Sequence, residues 1–89
     1  MRSGRQRFIN DTQNDLFIYL EPWAWRYRVR PTEVFELAYD LKCAEPSWVP
    51  LELHVFPEGA STAFQVFVNG IDEPKAHVNG IPAKEDYES

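Results

Sequence analysis

"LFIYLEPWAWRYRVRPTEVFELAY", residues 16–39, carries the reading of the fold. Within it Trp23, Trp25, Tyr27 and Val29 alternate with Ala24, Arg26, Arg28 and Arg30. A period of two sends the sets to opposite faces of a strand, so burying the aromatic face leaves the arginines in water. The stretch divides at its prolines into strands over about 16–20, 23–30 and 34–39. Glu21-Pro22 stops the first because proline lacks the ladder donor, and Pro31-Thr32-Glu33 turns the chain after the second. If the second and third strands form a hairpin with Val29 opposite Phe35, Arg28 falls opposite Glu36. The arginine row is then mainly structural surface.

Beyond this stretch, residues 40–50 form a loop with two prolines in which Trp48 is a lid over one end of the core. A fourth strand over 51–56 turns Leu51, Leu53 and Val55 inward and Glu52, His54 and Phe56 outward. Pro57-Glu58-Gly59 turns, and a fifth strand over 63–68 turns Phe64, Val66 and Val68 inward and Gln65 and Phe67 outward. Asn69-Gly70 suits a tight hairpin, and "VNGI" occurs at 68–71 and again at 78–81. Residues 82–89 are an acidic tail. Residues 1–14 lack periodicity and are read as a mobile basic arm that packs only through Phe8 and Ile9. The expected fold is all-β: a small antiparallel sandwich or barrel of five to six strands with mobile termini, one domain over 15–81 with its core within 15–71.

Composition agrees with a folded core, at 44% hydrophobic and 15% aromatic residues. A single cysteine, Cys43, makes no internal disulfide, and no apolar run reads as a leader or a membrane span, so the expected location is cytoplasmic. The sequon at Asn10-Asp11-Thr12 is read as chance. The net charge of −5 argues against generic affinity for nucleic acid or anionic membranes. It is uneven: residues 1–30 carry six Arg against three acids, and residues 31–89 three Lys against eleven acids.

Leu20-Glu21-Pro22-Trp23 with the later Pro31 resembles the signature of a family of small uncharacterised bacterial all-β proteins. There an apolar strand runs into Glu-Pro-Trp-Gly, followed by a strand, Pro-Gly and another strand. This chain has Ala24 and Thr32 at the two glycine positions. The resemblance implies a cytoplasmic all-β domain and no particular reaction.

No catalytic residue, cofactor or metal is assigned. A blue-copper site wants a His ahead of a closely spaced Cys, His and Met, but Cys43 precedes both His54 and His77, and the one methionine is Met1. Structural zinc wants four Cys or His ligands and the chain has three. The sequence has no Gly-x-Ser-x-Gly elbow and no glycine-rich phosphate loop. Cys43 is read as a small apolar residue, His54 as a surface imidazole, and Glu21 as a turn partner rather than a general acid. The chain is therefore read as a non-catalytic protein-interaction module, an inhibitor or neutralising binder of another protein, or a self-associating domain. Its contact residues are Phe56 and Phe67, expected nearly opposite one another, with Phe17 and Tyr19. The competing possibility is that Ile71, Val78 and Ile81 fold back over Phe56 and Phe67. The alternative function is single-stranded nucleic-acid binding through Arg26, Arg28 and Arg30, assisted by Arg2, Arg5 and Arg7. It suffers because Trp25 and Tyr27 oppose the arginine row.

Overall fold

The structure is a computed structural model that describes residues 2–41, 51–68 and 73–85. Eight strands are present among them: β1 (Arg2–Ile9), β2 (Leu16–Glu21), β3 (Trp25–Val29), β4 (Val34–Leu41), β5 (Leu51–Glu58), β6 (Ser61–Val68), β7 (Lys75–Val78) and β8 (Ile81–Pro82). They form two four-stranded sheets. Sheet A runs β1-β4-β7-β8 and sheet B runs β3-β2-β6-β5. The architecture is an all-β sandwich rather than a closed barrel. All pairings are antiparallel except β2 with β6, which is parallel. No helix among the described residues is long and apolar enough to cross a membrane.

Between the sheets, alternation places Ile18, Leu20, Val29, Phe35, Leu37 and Val66 at essentially zero exposure. Each contributes roughly 1.5–3 kcal/mol by leaving water. The rings of Phe8 and Phe64 meet at 5.9 Å, and those of Tyr27 and Phe35 at 5.2 Å. These contacts lay β1 over β6 and β4 over β3. Trp23 and Trp25 stack at 4.9 Å and pack against the core's rim.

Three expectations are corrected. Residues 1–14 are not an unpaired arm, since Arg2–Ile9 is a full edge strand in register with β4. Its periodicity is hidden because Gly4 occupies an inward position and leaves room for the Tyr39 ring. A Cβ at Gly4 would come within 2.4 Å of Tyr39 Cε2. Second, β3 and β4 are not a hairpin. They belong to different sheets, so Arg28 does not face Glu36; β3 pairs with β2, and Glu36 pairs with Arg7. Third, the ordered body extends past residue 71 and past 81. Asn79 (φ 51°) and Gly80 (φ 80°) turn β7 into β8, and the Ala83 amide donates to the Ala76 carbonyl at 2.9 Å. The second "VNGI" is thus a hairpin turn. Asn69-Gly70, Ile71, Cys43, Trp48 and residues 86–89 lie outside the described residues.

The crossing between sheets is organised by Asn10, which is 1% exposed. Its side-chain amide donates to the carbonyls of Val29 (2.8 Å) and Asn14 (2.9 Å), and its Oδ1 accepts from the Thr12 amide at 2.9 Å. Its backbone carbonyl accepts from the Thr32 amide at 2.9 Å. The sequon is a corner: the sheet-to-sheet passages from β1 to β2 and from β3 to β4 are joined at this one residue, through its satisfied side-chain amide and its backbone carbonyl.

Candidate interaction surface

Alternation along β2 sends Ile18 and Leu20 to the core and Phe17, Tyr19 and Glu21 to the outer face of sheet B. The registers on either side arrange that face in rows. Arg28, Phe17, Ala63 and Phe56 form one, and Arg26, Tyr19, Gln65 and His54 the next. Glu21, Phe67 and Glu52 form a third. All four residues proposed as contacts, Phe17, Tyr19, Phe56 and Phe67, therefore share one face.

Arg26, on the edge strand β3, lies over this face with its side chain only 15% exposed. One guanidinium nitrogen donates to Glu58 Oε2 at 2.9 Å, and Nε donates to the Tyr19 hydroxyl at 3.1 Å. That hydroxyl in turn donates to Glu58 Oε1. The guanidinium carbon lies 4.1 Å from the Phe17 centroid, a cation–π contact. The Tyr19 and Phe56 rings lie 5.9 Å apart, and Arg28 reaches Asp15 at 3.7 Å. Farther along, Gln65 donates to Glu21 at 2.9 Å, His54 contacts Glu52 at 2.8 Å, and the His54 ring meets Phe67 edge-on at 5.2 Å.

The electrostatics follow from enclosure. Burial, with help from the Glu58 carboxylate, pushes the Tyr19 phenol above its ordinary value. Burial alone would raise Glu58 too, but the hydrogen bonds from Tyr19 and Arg26 outweigh it and hold the carboxyl below the usual range. The bond to Glu58 raises Arg26 further. At neutral pH the cluster is a protonated phenol, a carboxylate and a guanidinium. Its groups bond one another, and the guanidinium packs on the Phe17 ring.

Exposure differs from the sequence reading. Phe17 is 9% exposed, roofed by Arg26, and Tyr19 and Phe67 are half-buried, while Phe56 is 37% exposed. Phe56 and Phe67 are not opposite one another, because Phe56 pairs with Ala63 and Phe67 with Glu52. Leu53 and Val55, expected in the core, are 42% and 62% exposed. They do face the inner side, opposite Val66 and Phe64. However, sheet A ends with β1 over β6, and β5 lies one strand farther out. Glu58 was missed because Pro57 read as a stop. Proline is tolerated on an edge strand where its missing N–H faces away from the ladder, so β5 continues to Glu58.

The remaining arginine of the row, Arg30, is exposed just past the end of β3, while Arg5 and Arg7 stand on the opposite side of the molecule. There Arg5, Arg7, Glu36, His77, Val34 and Gly80 line a shallow groove of about 510 Å³ on the outer face of sheet A. Arg7 Nε donates to Glu36 at 2.8 Å and Arg5 lies 3.9 Å from it. The Arg7 bond holds Glu36 below its ordinary value.

Among the described residues no group of three His, Cys, Asp or Glu is arranged to hold a metal ion. Comparison with protein-family models, curated proteins and solved structures finds no match to this chain.

Proposed function

We propose that this chain is a non-catalytic protein-interaction module that binds and occludes another protein through the outer face of sheet B. The observation that carries the reading is the Arg26–Tyr19–Glu58 cluster, which fixes Phe17 and Phe56 in place on a face that also holds Phe67 and His54. Aromatic and arginine side chains held rigid in advance dominate the energetics of small interfaces, because little side-chain entropy is lost on docking. The cluster offers no unsatisfied nucleophile or base, which favours binding over catalysis. The nucleic-acid alternative draws less support, since Arg26 uses its donors within the face and Arg5 and Arg7 stand on the opposite sheet.

The test is affinity capture from the native host's lysate, with and without nuclease, using the unaltered chain and Phe67→Ser. Capture of a protein that survives nuclease and is lost with Phe67→Ser, at an unchanged melting temperature, supports the reading. Capture of nucleic acid, or a protein retained by Phe67→Ser, refutes it. A fold destabilised by roughly 2–4 kcal/mol would place Phe67 in the core instead.

A further inference from the structure

The sandwich has four edge strands, and β5 differs from the others. A free edge is ordinarily guarded by cationic side chains, brevity or proline. Strand β1 carries Arg5 and Arg7, β3 carries Arg26 and Arg28, and β8 is two residues long and includes Pro82. Strand β5 is eight residues long with no Lys or Arg, its one proline, Pro57, stands next to last and leaves residues 51–56 unguarded, and every residue from Glu52 to Pro57 is exposed. Its inner-side row, Leu51, Leu53 and Val55, is entirely apolar, and Leu53 and Val55 are 42% and 62% exposed.

The backbone of that edge is set for pairing. Glu58 and Ser61 close a two-residue turn in which Gly59 has φ 60°, so they form the hydrogen-bonded pair next to the turn. Antiparallel ladders alternate, which points the amides and carbonyls of Leu51, Leu53 and Val55 away from β6 toward solvent. Pro57 falls on the same alternation and ends the run of donors.

The segment Leu51-Glu52-Leu53-His54-Val55 is also its own complement when reversed. With Leu53 opposite Leu53 of a second copy, Leu51 faces Val55 and Glu52 faces His54, each twice. Glu52 and His54 are already partners within one chain at 2.8 Å and are both exposed. We propose that β5 pairs antiparallel with β5 of a second copy in this register, joining two B sheets into one eight-stranded sheet and covering Leu53 and Val55. The proposal goes beyond the outer-face reading, because it uses the backbone edge of β5 with its side chains from Leu51 to Val55 and leaves Phe67 free.

Sedimentation of the full chain from about 10 µM to about 1 mM tests it. The expected result is a concentration-dependent dimer. Val55→Lys, at an already exposed position, should raise its dissociation constant at least about tenfold, with an unchanged melting temperature at dilutions where both chains are monomers. Glu52→Lys should weaken the dimer by bringing a lysine against His54, and Glu52→Lys with His54→Glu should restore it. Phe67→Ser should leave the dimer intact, so loss of the outer-face partner and loss of self-pairing are read separately. A chain that stays monomeric throughout overturns the proposal. So does a dimer indifferent to Val55→Lys, or one that the double exchange does not restore.

Discussion

Two arginine pairs, Arg5/Arg7 on β1 and Arg26/Arg28 on β3, have the same spacing, lie on the outer faces of edge strands, and each reaches a carboxylate. Their fates differ. Arg5 and Arg7 share Glu36 with side chains 72% and 66% exposed, whereas Arg26 bonds Glu58 at 15% and Arg28 reaches Asp15 at 29%. The strand next to β1 offers Ala38 and Val34 beside Glu36, side chains too short to enclose a guanidinium. The strand next to β3 offers Phe17 and Tyr19, and Phe56 stands three strands over on β5. The neighbours' size decides whether an arginine is a solvated charge or part of a rigid surface, and one strand's own sequence does not reveal it.

The largest expected difference between the two pairs is in stability. Arg26→Met leaves Glu58 and Tyr19 half-enclosed without their cationic partner and should cost about 1–3 kcal/mol. Arg7→Met removes an exposed pair and should move the melting temperature by little more than measurement scatter. Equal shifts in thermal unfolding would break the comparison.

Acid unfolding separates the carboxylates next. The folded pKa of Glu58 is lowered, so its contribution is present above the unfolded value, about 4.3, and is lost as pH falls through the lowered folded value. Glu58→Gln should therefore flatten the acid limb of the stability profile in that window. Glu36→Gln should do so too at low salt. In 1 M salt the Glu36 effect should fade and the Glu58 effect persist, since exposed pairs are screened more than enclosed ones. Tyr19 gives the opposite sign: with its folded pKa raised, its contribution is present below about 10 and is lost as pH rises through the raised value. An absorbance titration should show a late-ionising phenol that is lost in Tyr19→Phe.

Alternation placed β2 through β6 within two or three residues and assigned the right residues to each face. It could not name partners, because period two fixes which side a residue faces but not which strand lies beside it. That is why β3 and β4 read as a hairpin, and why Leu53 and Val55 read as core when their strand overhangs the opposite sheet. Strand β1 was illegible for another reason: of its inward positions Gly4, Gln6 and Phe8, one alone is a large apolar side chain. The outer-face aromatics were legible, and Glu58 was not, because Pro57 hid the strand's last residue.

Two turn residues with positive φ, one between the sheets and one within sheet B, give a smaller effect of known sign. Thr32 has φ 73° and Ala24 has φ 60°. A side chain in the left-handed region is strained, more so when β-branched. Thr32→Gly should raise stability by up to about 1 kcal/mol, offset in part by the added freedom of the unfolded chain, with Ala24→Gly smaller. A loss of stability at Thr32→Gly in chemical unfolding would mean that the side chain contributes to the corner at Asn10.

The smallest effect tests the comparison from its weak side. If the Arg5–Arg7–Glu36 cluster is a solvated surface, Arg7→Gln should change stability only slightly at low salt and not at all in 1 M salt, where charges beyond about 3 Å of solvent are screened. Binding by the outer face of sheet B should be untouched, since the two faces are separated by the core. Arg28→Gln, half-enclosed beside Phe17 at 5.9 Å, should weaken partner capture in both salts because its contact is with a ring as well as with Asp15. If instead Arg7→Gln abolishes capture in a salt-sensitive way while Arg28→Gln leaves it intact, the working face of this protein is the groove on sheet A. The enclosed arginines would then be a structural device of the fold alone.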